Sequence, residues 1–364
     1  MLVLVLVIGF LLVLTARAGV LPTLPGRPSG SELTCFKMAL MTNQIRWGII
    51  GCGNVTEVKS GPGFQKAERS ALVAVMRRDR DKAADYAQRH GVPKFYDQAA
   101  DLINDPDVDA VYVATPPSSH CQLGLAVAAA RKPCLMEKPM AMNHSGCVEL
   151  VDAFGRSQTP LFVAYYRRAL PRFLKVRELL QAGVIGQLTS VHILQYDRLA
   201  VGEAAQAWRF DPAIAGSGLF MDLASHGLDL LDFLVSPICQ VAGFAVNTGG
   251  TYKAEDVTTA CFQFQSGVVG HGVWNFNADR WDDRITLTGS SGELETPVFT
   301  DGDIVLRTGG EQTVYEVRNP PHVHQPLIQT IVDELLGQGT CESTGESGAR
   351  TSWVMDCCLK SYYR

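Results

Sequence analysis

Five short runs between Ile45 and Tyr165 are apolar almost throughout, rather than at every second position. They are IRWGII (Ile45–Ile50), ALVAVM (Ala71–Met76), AVYVAT (Ala110–Thr115), PCLME (Pro133–Glu137) and LFVAY (Leu161–Tyr165). A strand with apolar side chains on both faces must be covered on both faces. Segments of helical spacing lie between the runs, among them DRDKAADYAQRH, closed by Gly91, then HCQLGLAVAAARK and HSGCVELVDAFGR. Helices on both sides of a parallel sheet meet that requirement. The pattern predicts an α/β unit with a doubly wound parallel sheet over residues 44–165.

The texture changes after Tyr166. PRFLKVRELLQAG has helical spacing, TSVHILQY reads as a strand, and an apolar helix covers roughly 218–235. CQVAGFAV, TTACFQF, GVVGHGVWNFN, RITLTG, DIVLRT and QTVYEV then alternate as strands do, with GSSG (Gly289–Gly292) as a hairpin turn. Helical spacing returns from Gln325. Residues 166–364 are therefore predicted to form an α+β domain with a large, mostly antiparallel open sheet and C-terminal helices.

The chain has 364 residues, enough for two cores, and its net charge of −5 comes with no basic stripe. Nucleic acid is not an expected partner. The ten cysteines form no C-x-x-C pair and read as thiols of a reducing compartment. His322-Val323-His324 stands alone in a Pro-rich loop and reads as surface histidine, so no metal site is expected. Met1 to Leu14 is an unbroken apolar run, shorter than the about 20 residues of a membrane span. With Ala16-Arg17-Ala18 it resembles a signal peptide, but no basic residue precedes it. Residues 1–43 are read as an apolar segment and linker ahead of a cytoplasmic enzyme starting near Met41, and residues 1–40 as dispensable. The alternative is export or membrane anchoring through residues 1–18.

The first strand runs into Gly51-Cys52-Gly53, two glycines of a dinucleotide-binding G-x-G-x-x-G turn, with Thr56 in the third place. Gly51 and Gly53 permit close backbone approach to a pyrophosphate, and the helix opening at Asn54 and Val55 offers it free N–H groups. The second strand ends at Met76, where such a Rossmann fold recognises the ribose about 20 residues on. An acid there would bind the 2′-hydroxyl of NAD. Arg77 and Arg78 suit a phosphate instead, which favours NADP(H), with NAD(H) as the alternative. Asp79 beside them reads as a helix cap.

Lys138 follows a strand at the carboxyl end of the sheet, where open α/β folds bind ligands. An ammonium there can protonate or polarise a reacting oxygen. Asp222 and His226 are four apart on the apolar helix, which predicts one shared face, with Asp229 on the same side. His226 is expected to relay a proton with Asp222 beside it. Tyr166, Arg167 and Arg168 fall at the domain junction, and Trp208 and Arg209 precede the helix as a wall for substrate.

GIIGCGN, ATPPSSH (Ala114–His120), MEKPMA (Met136–Ala141), VAYYRRALPRF and MDLASHGLDLLDF (Met221–Phe233), in this order and spacing, resemble the Gfo/Idh/MocA family of NAD(P)-dependent sugar and polyol oxidoreductases. The resemblance runs from about Ile45 to the C-terminus. It implies hydride transfer between NADP(H) and a sugar or polyol, with Lys138, Asp222 and His226 catalytic. It implies cofactor contacts at Gly51, Gly53, Asn54, Val55, Arg77, Arg78, Thr115, Pro116, His120, Glu137, Lys138 and Arg167. It places Tyr166, Trp208, Arg209, Asp222 and His226 against substrate. A non-catalytic dinucleotide sensor and a dihydrodiol-type dehydrogenase are the competing readings. An open sheet favours a homodimer or homotetramer.

Overall fold

The computed structural model describes residues 19–20, 43–202 and 207–363. Strand β1 (Gly19–Val20) precedes a six-stranded parallel sheet of β2 (Ile45–Ile50), β3 (Ser70–Met76), β4 (Lys94–Tyr96), β5 (Ala110–Val113), β6 (Cys134–Met136) and β7 (Leu161–Val163). Their order is β4-β3-β2-β5-β6-β7. The chain builds outward from β2 to one side and then crosses to start again at β5, so a crevice opens above the carboxyl ends of these two neighbours. Ile45, Trp47, Ile49, Tyr112, Val113 and Leu135 are buried, as runs apolar on both faces require. The helix Arg80–His90 begins where the Asp79 side chain accepts from Lys82 N at 3.2 Å and ends at Gly91 with φ 65°. Both are the capping devices that the sequence offers.

The second sheet has nine strands in the order β1-β9-β10-β11-β8-β12-β13-β14-β15. They are β8 (Leu188–Arg198), β9 (Ile238–Val246), β10 (Val257–Phe264), β11 (Val269–Ala278), β12 (Asp282–Gly289), β13 (Gly292–Thr296), β14 (Ile304–Thr308) and β15 (Glu311–Tyr315). Among the described residues of this sheet only β11 and β8 pair in parallel. One face buries Ile193, Phe262, Trp274 and Leu287, while Phe244, Val246 and Val269 on the other face are exposed. The expected α/β plus α+β architecture with a mostly antiparallel open sheet is present.

Two details depart from expectation. Gly19 and Val20, read as linker, pair with Val241 and Gln240 at the edge of β9. A Cβ on Gly19 would meet the Cys357 Sγ at 2.5 Å, so β1 lies hard against the C-terminal helix Gly345–Tyr363. The rest of the N-terminal segment, including the apolar run and the signal-like Ala16-Arg17-Ala18, lies outside the described residues. Strands β4 and β13 were not anticipated, although β13 completes the hairpin whose turn the GSSG stretch marks.

A buried ionic cluster ties the helix Ser225–Leu234 to its surroundings. Arg168 donates Nε and Nη2 to the two carboxylate oxygens of Asp229, both at 2.8 Å, and Nη2 reaches Asp232 at 3.0 Å. Arg350 grips Asp232 with two bonds of 2.8 Å. The expectation that Asp229 joins the catalytic face is corrected here, because its carboxylate is engaged by Arg168. Removing one partner of a buried pair strands the other charge, at about 3–5 kcal/mol. Arg168→Met is expected to lower the unfolding free energy by that order in urea titration. A loss below about 1 kcal/mol would contradict the role of this cluster.

Candidate active site

Two turns meet above the crevice, Gly51–Gly53 after β2 and Ala114–Pro116 after β5. Gly51 has φ +94°, and a Cβ there would lie 2.8 Å from the Thr115 methyl and 2.9 Å from the Ala114 carbonyl. Glycine alone fits that position. A Cβ on Gly53 would meet nothing nearer than the Gly51 carbonyl at 3.9 Å. The backbone is thus bare on that side, the condition for close approach of a pyrophosphate. Asn54 is exposed and Val55 half-buried on the same turn. Thr56, in place of a third glycine, is fully buried and donates its hydroxyl to Gly53 O at 2.8 Å. Close packing is supplied instead by Gly61, where a Cβ would sit 2.1 Å from Thr56 O. Arg77 donates Nη1 to Cys52 O at 3.3 Å and so lies against the glycine turn, while Arg78 is exposed. These residues fit a dinucleotide.

Lys138 leaves the end of β6 and reaches across to Asp222. Its Nζ donates to the Asp222 carbonyl at 2.8 Å and pairs with the Asp222 carboxylate. The second carboxylate oxygen accepts from Arg209 Nε at 3.2 Å, and that guanidinium stacks on Trp208 at 4.4 Å. Burial pushes the Asp222 carboxyl up, but Lys138 and Arg209 outweigh it and hold it below the usual carboxylate range. Lys138, Asp222, Trp208 and Arg209 are therefore brought together.

His226 is placed differently. Asp222 stands in a π-helical turn, Phe220–Ala224, and His226 in the α-helix after it. A π turn shifts the helical phase, and such turns favour functional sites. The carboxylate faces Lys138, and His226 Nδ1 has no hydrogen-bond partner among the described residues. Tyr165, Tyr166 and Phe299 ring the imidazole with centroids 5.9, 5.3 and 5.9 Å away. Burial, then the charges of Arg167 and Lys138, push its pKa well below the ordinary value. That direction favours the neutral ring, and with the Asp222 carboxylate on Lys138 the two side chains are not the hydrogen-bonded pair expected.

His120 is a second correction. It is fully buried, with Nδ1 2.9 Å from Pro139 O and Nε2 2.7 Å from Thr115 O. A neutral imidazole donates its one N–H to one of these carbonyls, so the buried ring packs between the Lys138 turn and the Thr115 loop and has no surface open to a cofactor. Thr115 and Pro116 remain half-buried at the crevice. Glu137 is buried and accepts from Tyr112 OH at 2.5 Å and from Lys138 N at 3.0 Å. Burial raises its carboxyl against those bonds. Tyr166 lies between His226 and His324, and Arg167 lies over Tyr166 and Phe299.

His324 was missed. Expected at the surface, it is 3% exposed, tilted over Tyr166 at 4.4 Å, with Nδ1 4.0 Å from Glu137. Its one sequence signal is its place directly before the apolar helix Gln325–Leu335, which carries it inward. Phe299 was missed as well, since a phenylalanine in a loop has no chemical signature. Among the described residues no cluster of three or more metal-ligating side chains occurs, and no helix is long and apolar enough to cross a membrane.

Comparison with known proteins adds to this geometry. Residues 45–165 match a family described as an oxidoreductase family with NAD-binding Rossmann fold, and residues 173–295 match the GFO/IDH/MocA C-terminal domain. Oxidoreductase P35 of Formosa agariphila is 40% identical over 324 residues, 87% of this chain and 98% of that protein. The chain belongs to the Gfo/Idh/MocA family. As a family member it is an NAD(P)-dependent oxidoreductase acting on CH–OH groups. The 1,5-anhydro-D-fructose reductase of Ensifer adhaerens is 26% identical over 83% of this chain and 92% of its own length. A levoglucosan dehydrogenase structure, in complex with NADH and levoglucosan, superposes with a TM-score of 0.78 at 20% identity, over 87% of this chain and 97% of its own. That likeness is one of fold.

Burial also pushes the pKa of His324 down, to about 3. Between the ordinary histidine value of about 6.5 and these depressed values, the unfolded chain binds protons at His226 and His324 that the folded chain refuses. Stability is therefore full above that value and falls as pH falls through the window. Each ring contributes a slope of up to about 1.4 kcal/mol per pH unit. His324→Gln is expected to show a visibly shallower loss of stability from pH 6.5 to 5 in denaturant titrations. An unchanged slope would show that His324 titrates normally.

Proposed function

We propose that the chain interconverts a hydroxyl carbon of a sugar or polyol with its carbonyl, using NADP(H) in preference to NAD(H). The observation that carries this reading is the Lys138–Asp222–Arg209 arrangement at the mouth of a dinucleotide crevice. A bound nicotinamide dinucleotide supplies or takes the hydride. Lys138 Nζ holds the proton that the reacting oxygen gains or loses. Asp222 fixes the ammonium in position and compensates its charge. Neutral His226 offers a further hydrogen bond to the substrate, and Trp208 with Arg209 closes one wall. Arg77 lies on the Cys52 carbonyl of the glycine turn, which supports the NADP(H) preference, because a guanidinium after the second strand suits a 2′-phosphate. A non-catalytic sensor has no use for this ionic set. A dihydrodiol substrate draws support from Tyr166 and Phe299 beside His226 and from a trans-1,2-dihydrobenzene-1,2-diol dehydrogenase of Danio rerio, 26% identical over 78% of this chain. It belongs in the same substrate panel.

The exposed Phe244, Val246 and Val269 support a homodimer or homotetramer formed through the open face of the large sheet. Light scattering at micromolar concentration is expected to give two or four chains, and a monomer would refute this.

Lys138→Met keeps the apolar stem and removes the proton donor. Turnover is expected to fall by about 10² to 10⁴, with cofactor affinity retained in calorimetry. Near-normal turnover on a true substrate would remove Lys138 from the chemistry. The same titrations are expected to show tighter binding of NADPH than of NADH, and Arg77→Ala is expected to erase the difference. Equal affinities in the unmodified protein would end the NADP assignment.

A further inference from the structure

Arg167 is a buried cation with no ion-pair partner among the described residues. It is 4% exposed, and its guanidinium lies 4.4 Å from the Phe299 ring centre and 4.9 Å from that of Tyr166. Nε donates to Val298 O at 2.9 Å, while Nη1 is buried without a hydrogen-bond partner. No carboxylate among the described residues lies within ion-pair distance of it. Its sequence neighbour Arg168 shows the contrast, with two buried aspartates in its grip. Arg172, also buried, at least donates Nη1 to the Thr300 and Gly302 carbonyls, both at 2.8 Å.

Asp283, Asp301 and Asp303 act on the neighbouring Arg172, but none of them pairs with Arg167. Asp283, under the same loop, accepts from the backbone amides of Val298, Phe299 and Thr300 at 3.1, 2.6 and 3.0 Å. Asp222 serves Lys138 and Arg209, and Glu137 serves Tyr112 and the Lys138 amide. The fields of Arg167, Lys138 and Lys59 all reach His226 and His324. The centre is therefore rich in positive charge, and burying an unpaired charge is costly unless something arrives to pair with it.

A phosphate of the cofactor is a poor match for this cation. The pyrophosphate belongs at the bare Gly53 turn, and a 2′-phosphate belongs beside Arg77. Arg167 instead touches the loop Val298–Phe299 of the large-sheet domain, beside His226. His226 Nδ1 is the second unpartnered polar atom against the same Phe299 ring.

We infer that the substrate is a sugar acid, an aldonate or uronate, whose carboxylate is held by Arg167 Nη1 with His226 beside it. This rests on the proposed reading of the site as a sugar oxidoreductase. Arg167 is then a specificity residue rather than a catalytic one. Two donors from two side chains suit the two oxygens of a carboxylate, and the Val298 carbonyl fixes the guanidinium through Nε.

The test compares matched pairs on the unmodified enzyme with its cofactor: glucuronate against glucose, galacturonate against galactose, and gluconate against sorbitol. Sugar sulfates and sugar phosphates form two further arms. A charged hydrogen bond is expected to favour the acid in kcat/KM by about 10- to 100-fold. Arg167→Gln is expected to lower that acid-to-neutral ratio by the same factor, and Arg167→Lys to restore part of it. Equal or better use of the neutral partners overturns the inference while leaving the oxidoreductase reading intact. So does a preference for the sulfate or phosphate arm, or a ratio unmoved in Arg167→Gln. A loss of cofactor affinity in Arg167→Gln that accounts for the whole kinetic effect overturns it too, by placing the cation on the cofactor. Absence of turnover with every sugar, acid and neutral, overturns both readings. Should Arg167→Gln fail to fold, the ratio in the unmodified enzyme and in Arg167→Lys decides.

Discussion

The contact between Lys138 and Asp222 joins the parallel-sheet domain to the helix of the second domain. Lys138 hangs from the end of a strand in the parallel sheet, and Asp222 stands in the turn before a helix of the second domain. Both side chains are largely out of water, with 15% and 19% of their surfaces exposed. Burial pushes the Asp222 carboxyl up, and Lys138 with Arg209 on the far oxygen outweighs it and holds the carboxyl below its usual range. The contact thus fixes the placement of both side chains.

The surrounding packing serves that contact. The buried His120 ring packs between the Lys138-Pro139 turn and the loop after β5 and bonds one of their carbonyls, which helps fix where the lysine starts. Arg168 and Arg350 hold Asp229 and Asp232, which fixes the helix that follows Asp222. Tyr112 and the Lys138 amide hold Glu137 directly beneath. Each removes a freedom that would otherwise blur the positions of Lys138 and Asp222.

Much of the architecture was legible because apolar periodicity reports burial directly. The runs at Ile45, Ala71 and Ala110 had to be central strands, and Asp79 with Gly91 marked one helix to within a residue. Short elements such as Lys94–Tyr96 and Gly292–Thr296 carry too few apolar positions to show a period. At the site, the position of Lys138 at the carboxyl end of β6 was readable from the strand before it. The relation of Asp222 to His226 was not, because i,i+4 spacing assumes an α-helix and the chain inserts a π turn. His120 and His324 were misjudged for a related reason. A lone histidine shows its chemistry in the sequence but not its neighbours, and here the neighbours are two carbonyls in one case and a tyrosine with a glutamate in the other.

The most direct measurement is a crystal structure of the enzyme with oxidised cofactor and an unreactive polyol or sugar acid. The reacting oxygen should lie within hydrogen-bond distance of Lys138 Nζ, about 2.6–3.2 Å. The nicotinamide ring should face the same carbon, with Asp222 still on the ammonium. A ligand oxygen held by other groups, with Lys138 turned wholly to Asp222 and out of reach of the substrate, would contradict the account at its centre.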